Sequence, residues 1–334
     1  MLTEGDGEGL VVPMSHSHKI TILITGVAGF IGSNFAERLL TDSRSTMHDL
    51  RIIGVDNLSY GVREQIPDGV EFYQEDVRRK SIYPLFKDVD YVFHFAAKNC
   101  IADCQADPVE TADINVTGTV NVFEAARQAG VKKVIYAESS ALYEGCSTLP
   151  SKEAEVRPES FYATSKLATM YFAEAYSRFC DLQFTALRYF CVYGPRQDYR
   201  RTIPPVFSAF IIKLLKDERP VIYGTGEKRR DFVYVDDIND FHIQCMTDAR
   251  TTGKVFNLGS GKNYSVSEIY AIIARLLGSD ARPRYEADLP GEAFANLADI
   301  TEAKGLGWEP KTDLVTGLGK AIEFIRGEMA LGRI

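Results

Sequence analysis

The chain has 334 residues, 45% of them hydrophobic, which is enough for a sizeable core and suggests about two domains. Its formal net charge of −8 argues against a nucleic-acid surface or an anionic membrane as main partner, and no apolar run approaches the roughly 20 residues that span a bilayer. The cysteines (Cys100, Cys104, Cys146, Cys180, Cys191, Cys245) are scattered without a C-x-x-C pair, so no metal centre is expected and free thiols in a reducing cytoplasm are.

Residues 1–18 are rich in Gly, Asp, Glu, Ser and His without periodicity. They read as a flexible tail, or as an extension ahead of a second start at Met14. His16 and His18 read as tail residues, and the apolar patch Leu10 to Val12 is too short for a secretory signal. From Ile20 to Ser33 the chain reads I-T-I-L-I-T-G-V-A-G-F-I-G-S. The β-branched run to Thr25 predicts a buried strand, and the apolar spacing of Phe30, Ile31, Phe35 and Leu39 predicts a helix. Gly26, Gly29 and Gly32 fall between them, where missing Cβ atoms let a backbone approach a ligand and free N–H groups at a helix start suit a pyrophosphate. The spacing is G-x-x-G-x-x-G, not the commoner G-x-G-x-x-G.

Leu50 to Asp56 is a second buried strand ending in an acid, 24 residues beyond Gly32. A carboxylate there accepts bonds from both hydroxyls of an adenosine ribose and repels a 2′-phosphate, which favours NAD over NADP. Val70 to Tyr73 is a third strand leading to Glu75-Asp76-Val77, and Asp90 to Ala97 a fourth, ending in two residues small enough for a cofactor to cross. His94 in that apolar strand reads as a packed core histidine. Pro108 to Gly130 is a helix closed by glycine, and Lys132 to Ala137 is strand five. The alternation predicts a doubly wound parallel sheet of Rossmann type, with ligands at the strands' carboxyl ends.

Directly after strand five, Ser139-Ser140-Ala141-Leu142-Tyr143 sets hydroxyls over the expected nicotinamide position. A further helix opens at Phe161 and carries Tyr162 and Lys166 at i and i+4, hence on one face. A tyrosine of pKa near 10 is a poor base at neutral pH, but an ammonium one turn away and a positive nicotinamide ring favour the phenolate. Tyr162 can then take a proton from a substrate hydroxyl while a serine hydroxyl bonds the developing oxyanion.

These residues resemble the extended short-chain dehydrogenase/reductase family, and within it the nucleotide-sugar epimerases and dehydratases, UDP-glucose 4-epimerase-like members in particular. The matching stretches are T-G-V-A-G-F-I-G-S (25–33), V-D-N-L (55–58), H-F-A-A (94–97), D-I-N-V-T-G-T (113–119), S-S-A-L-Y (139–143), Y-A-T-S-K (162–166), L-R-Y-F-C-V-Y-G-P-R-Q (187–197) and R-D-F-V-Y-V-D-D (230–237). The resemblance implies an NAD-binding Rossmann domain of residues 19–188 plus about 232–260. A smaller, discontinuous α/β domain of 189–231 and 261–334 would bind a nucleoside-diphosphate sugar. It implies catalysis by Ser139 or Ser140 with Tyr162 and Lys166, Ser139 falling on the usual Ser/Thr position. Cofactor contacts are implied for Gly26, Ala28, Gly29, Phe30, Ile31, Gly32, Asp56, Asn57, Asp76, Val77, Phe95, Ala96, Ala97, Lys98, Asn115 and Tyr189, besides Tyr162 and Lys166. Substrate contacts are implied for Lys98, Ser140, Cys191, Pro204, Val206, Tyr223, Arg230 and Asn296. Relatives often dimerise through the helices matching 108–129 and 161–180, so a homodimer is expected.

Dehydratases of this kind carry Thr-Asp-Glu where this chain has Ser139-Ser140-Ala141; decarboxylating members place Glu, and 3,5-epimerising members Cys, at Ala141. The absence of an extra acid or thiol there leaves a minimal set of groups: oxidise a sugar carbon, let the keto sugar turn, return hydride to the other face. A 4-epimerase is therefore expected. A 4-ketoreductase uses the same residues, and a non-catalytic NAD-binding sensor or scaffold shares the fold. Several positions depart from the family pattern. Cys191 replaces an asparagine that helps to hold the diphosphate, Leu289 an arginine for which Arg282 or Arg284 would compensate, and Glu144 stands where glycine follows the tyrosine. Asn296 lies where size limits acceptance of an N-acetyl group. Glu138 is unusual, with no role legible from the sequence.

Overall fold

The computed structural model describes residues 19–41, 50–201, 203–288 and 293–334. The expected tail with His16 and His18, and Leu289 with the Pro290-Gly291-Glu292 that follows it, lie outside the described residues.

The strands in chain order are β1 (Ile20–Thr25), β2 (Leu50–Asp56), β3 (Val70–Gln74), β4 (Tyr91–His94), β5 (Lys133–Ser139) and β6 (Phe184–Tyr189). They continue as β7 (Cys191–Tyr193), β8 (Val221–Tyr223), β9 (Arg229–Tyr234), β10 (Lys254–Leu258), β11 (Asn263–Ser265) and β12 (Arg284–Glu286). Seven form one sheet in the order β10-β6-β5-β4-β1-β2-β3, every pairing parallel. The order reverses between β1 and β4, the switch point at which doubly wound sheets open a crevice for ligands. Both faces are covered, one cluster containing Ile22, Ile24, Phe35 and Phe241, the other Leu23, Val92, Phe123 and Tyr136. This two-sided burial explains why β1 and β2 read as continuous apolar runs. A three-stranded sheet, β11-β9-β7, and the β12-β8 pair build the smaller α/β region of the later chain.

Three elements differ from expectation. The largely apolar stretch Gln183 to Val192, which the sequence predicts as one further buried strand, is split in two: β6 ends at Tyr189, the Phe190 amide donates to Leu258 O at 3.0 Å, and the chain re-pairs as β7 in the other sheet. The fourth strand stops pairing at His94, so 95–98 form the crevice wall. The helix from Pro108 is interrupted by a π-type turn at Asp113–Thr117 before resuming as Gly118–Ala129. Within that turn Asn115 reaches the Lys98 backbone, accepting from its N–H at 2.8 Å and donating to its carbonyl at 2.9 Å. Such single-turn irregularities serve to re-aim side chains.

Candidate active site

The turn between β1 and the helix Phe30–Thr41 is held by backbone contacts too close for any side chain. Gly26 has φ +72°, and a Cβ on Gly32 would stand 2.2 Å from Gly26 O. Gly29 N donates back to Gly26 O at 3.1 Å, closing the turn immediately before the helix N-terminus. At the end of β2, Asp56 accepts from Leu58 N at 2.8 Å and from Ala28 N at 3.1 Å, one bond to each oxygen. Burial pushes its carboxyl above the usual range, and these two bonds oppose the shift. Each oxygen keeps a second lone pair for a hydroxyl. Asp76 stands beside Asp56's loop, bonded by the Arg78 guanidinium and by Asn57, and Arg78 holds its carboxyl well below the usual range.

Ser139 ends β5, and the helix Phe161–Cys180 brings the Tyr162 phenol close enough to the Ser139 hydroxyl for that hydroxyl to favour the phenolate. Ser139 Oγ also accepts from Ala141 N at 3.1 Å, which fixes its orientation. Of the two serines, Ser139 is thus the partner of Tyr162, while Ser140 opens the short turn Ser140–Tyr143. Lys166 Nζ donates to Ala137 O at 2.9 Å, tying the helix to β5. Both catalytic candidates are buried. Burial pushes the Tyr162 phenol up to about 12, with the Ser139 bond opposing, and pushes the Lys166 ammonium down to about 8, with Glu138 opposing. The sequence predicts that Lys166 favours the phenolate; in the structure burial outweighs the Ser139 hydroxyl and the Arg201 charge, the groups that favour it. His94 is a core residue, bonded to Thr25 at 2.7 Å and Thr119 at 2.8 Å and pushed down to about 3 chiefly by burial.

At the far end Asn296 Oδ1 accepts from Asp231 N at 2.7 Å, and its amide faces Cys191 Sγ at 3.8 Å. Asp231 itself is buried and accepts from Ser260, Gly261 and Ala298, which locks β9 to two later segments. Arg230, next to it, donates to Arg229 O at 3.0 Å and Phe294 O at 3.4 Å.

A single cleft of about 700 Å³ runs from Gly26 to Asn296. All the predicted cofactor, catalytic and substrate residues line it except Asn115. Asn115 is fully buried, its amide committed to the Lys98 backbone and to Ser165 Oγ, so it shapes the wall from behind. Lys98 lines the cleft with its ammonium paired to Glu110, and Tyr189 lines it with its hydroxyl bonded to His242 at 2.7 Å. Arg282 and Arg284 do not line it, and Arg284 is paired with Glu286 at 3.2 Å. The cationic groups present instead are Arg196, Arg200, Arg201 and Lys228, which the sequence reading missed. Arg200 reaches Tyr60 O at 2.8 Å and Arg201 reaches Asn99 Oδ1 at 2.6 Å, so this segment bridges the two sides of the cleft. The arginine within G-P-R-Q and the Arg200-Arg201 pair that follows it after two residues were the available signal.

Glu144, a departure from the family pattern, accepts from Ser160 N at 2.8 Å, Ser160 Oγ at 3.0 Å and Glu159 N at 3.3 Å. It therefore anchors the start of the helix carrying Tyr162, where a carboxylate also suits the helix dipole.

The NAD dependent epimerase/dehydratase family matches residues 22–259. The UDP-glucose 4-epimerase of Mycolicibacterium smegmatis is 34% identical over 316 residues, covering 92% of this chain and 98% of that protein. Among solved structures, the UDP-glucose 4-epimerase of Thermotoga maritima with UDP-glucose superposes with a TM-score of 0.88 at 33% identity, covering 93% of this chain and 100% of that one. The UDP-N-acetylglucosamine 4-epimerase of Methanobrevibacter ruminantium in complex with UDP-N-acetylmuramic acid gives a TM-score of 0.88 at 31% identity, covering 94% and 100%.

Proposed function

The chain belongs to the NAD dependent epimerase/dehydratase family, and from that premise we propose that it is a 4-epimerase of a nucleoside-diphosphate hexose. The supporting observation is how the acids and thiols near the Ser139–Tyr162 pair are engaged. Ala141 offers no acid or base. Glu138 is bonded to Arg188 and Tyr136, Glu144 to Ser160, and Cys146 Sγ to Glu155 O at 3.2 Å. A dehydration or decarboxylation needs a further acid or base at the sugar; reversible oxidation at one carbon does not.

The residues fit NAD. The Gly26–Gly32 turn is a cradle that a Cβ would fill, Asp56 has lone pairs for a ribose, and the cleft continues past Ser139 and Tyr162. Bound there, NAD would supply a reversible hydride acceptor for the sugar carbon. Tyr162 removes the proton from the sugar hydroxyl, and Ser139 bonds the oxygen as it becomes a carbonyl. Lys166, hydrogen-bonded to Ala137 O, places a positive charge one turn from the phenol. The sugar-nucleotide lies toward Cys191, Arg230 and Asn296. The similar proteins named above act on UDP-sugars, which makes UDP the first nucleotide to test.

The test is NMR of UDP-, GDP-, CDP- and dTDP-sugars incubated with the purified protein and no added cofactor. One sugar should equilibrate with its C4 epimer. If none does, and added NADH is consumed with a 4-keto sugar, the epimerase reading fails in favour of a ketoreductase. We also propose a homodimer through the faces bearing Val109, Tyr171, Phe172 and Phe179, which are exposed aromatic or aliphatic groups. Sedimentation as a monomer would refute it. Among the described residues no helix is long and apolar enough to cross a membrane, and a cytoplasmic place of action is the setting we propose.

A further inference from the structure

Glu138 sits in β5 between the two residues nearest the reactive pair: Ala137 accepts from Lys166, and the Ser139 hydroxyl lies by the Tyr162 phenol. Strand alternation turns its side chain to the opposite face from those of Ala137 and Ser139. There it is buried with Tyr136, whose hydroxyl donates to Glu138 Oε1 at 2.9 Å. Arg188 of β6 donates from Nε to Glu138 Oε2 at 2.7 Å, and both side chains are essentially inaccessible. The other donors of Arg188 go to Tyr143 O–H at 3.0 Å, Glu153 O at 2.6 Å and Met170 Sδ at 3.1 Å. Met170 lies one turn beyond Lys166 on the same helix face, so the ion pair lies beneath the helix where Lys166 meets the strand.

Resting on the Tyr162–Lys166 reading above, we propose that Glu138 is a positioning residue of the reaction. Its carboxylate, fixed by Arg188 and Tyr136, keeps the Lys166 ammonium charged in a dry site. A buried ion pair is seldom retained for stability alone, because desolvation offsets much of its attraction. The groups acting on Lys166 can be taken element by element. Glu138 comes from β5 and Cys104 from the helix Ile101–Ala106, both favouring the ammonium. His94 comes from β4 and is kept neutral by burial, and Tyr162 lies on the same helix. Arg188 opposes Glu138, but its remaining donors bind it on the β6 side. Among these groups, Glu138 is the carboxylate that favours the charged lysine, opposing a burial that pushes it down to about 8.

The test compares wild type with Glu138→Gln, Glu138→Asp and the double variant Glu138→Gln/Arg188→Met. The double variant removes both buried charges and leaves neither unpaired. Lys166 is titrated by NMR of 15Nζ-labelled protein, independently of turnover, and the pH profile of kcat is recorded for the NAD-loaded protein. In Glu138→Gln, Lys166 and the alkaline limb of kcat should both move down by about one pH unit, a tenfold change in the proton equilibrium, and in the double variant, which also loses the opposing Arg188 charge, both should move the same way by less. Glu138→Asp should restore most of the shift. An unmoved Lys166 titration in either folded variant overturns the proposal, even where Tm or kcat falls uniformly. The NMR titration stands whether or not a sugar is turned over, so a failure of the epimerase reading is seen separately.

Discussion

Replacing Gly32 by Ala tests the cofactor cradle through one added atom. The new Cβ would stand 2.2 Å from Gly26 O and 2.9 Å from Val27 Cα, both backbone atoms that no rotamer change can move aside. The carbonyl must retreat by about 0.8 Å to reach the 3.0 Å below which real Cβ contacts essentially never fall. Such a retreat shifts the turn and the first N–H groups of the helix, on which a diphosphate would be held. Losing one charge-assisted hydrogen bond costs about 1.5–3 kcal/mol, which weakens NAD binding roughly tenfold to 150-fold. The assay is calorimetric titration of NAD into protein stripped of cofactor, with circular dichroism to confirm folding. Gly319→Ala is the control: nothing lies within 4 Å of its added Cβ. It sits inside the helix Leu314–Ala330 and should stabilise by about 0.5–1 kcal/mol without touching NAD affinity. A folded Gly32→Ala protein that binds NAD within about threefold of wild type would refute the cradle.

Tyr162→Phe should fold, bind NAD and lose at least about 100-fold in kcat, the usual scale for a general base; near-normal turnover by NMR would remove Tyr162 from that role. Glu144→Ala strips three bonds from the start of the helix Phe161–Cys180. It should cost about 2 kcal/mol in urea unfolding, and an unchanged midpoint would sink the anchoring role. It also removes an anion that raises the Tyr162 phenol, so the acid limb of the kcat profile should move to lower pH. His94 is buried and neutral, with its folded pKa pushed down to about 3. The unfolded chain therefore takes up a proton that the folded one refuses, and the stability tied to His94 is present above pH ~6.5 and lost as pH falls toward ~3. The stability gap between wild type and His94→Gln should narrow by about 2 kcal/mol from pH 7 to pH 5; a gap independent of pH would contradict a neutral core imidazole.

The Rossmann-type sheet was legible because burial on both faces leaves unbroken apolar runs, as in β1 and β2, while the glycines record backbone approaches that permit nothing larger. The change of sheet at Phe190 was not legible. From Phe184 to Tyr193 the run is apolar but for Thr185 and Arg188 and carries no mark of where its pairing partner changes, and only Leu258, far along the chain, takes up the Phe190 amide. Asn115 was placed in the wall by motif, but the π-type turn rotates it behind Lys98; a one-residue shift in helical phase is invisible to apolar spacing. The protonation of Tyr162 was also out of reach. The i,i+4 spacing correctly sets Lys166 on the same face, yet spacing carries no information about desolvation, which here pushes the phenol to about 12.

The desolvation of Tyr162 gives the two unusual acids opposite parts. A phenol at about 12 needs roughly 7 kcal/mol of differential interaction to work as a base near pH 7, and cations brought close to it must supply most of that. Lys166 can contribute only while charged, and burial alone drives it toward neutrality. Glu138 of β5 opposes that drift from beneath the helix. Glu144 acts in the other sense on Tyr162, its charge raising the phenol while its bonds to Ser160 fix the helix that presents it. The two carboxylates flank the same short turn, Ser139 to Tyr143. One sustains the cation; the other holds the geometry at some electrostatic cost.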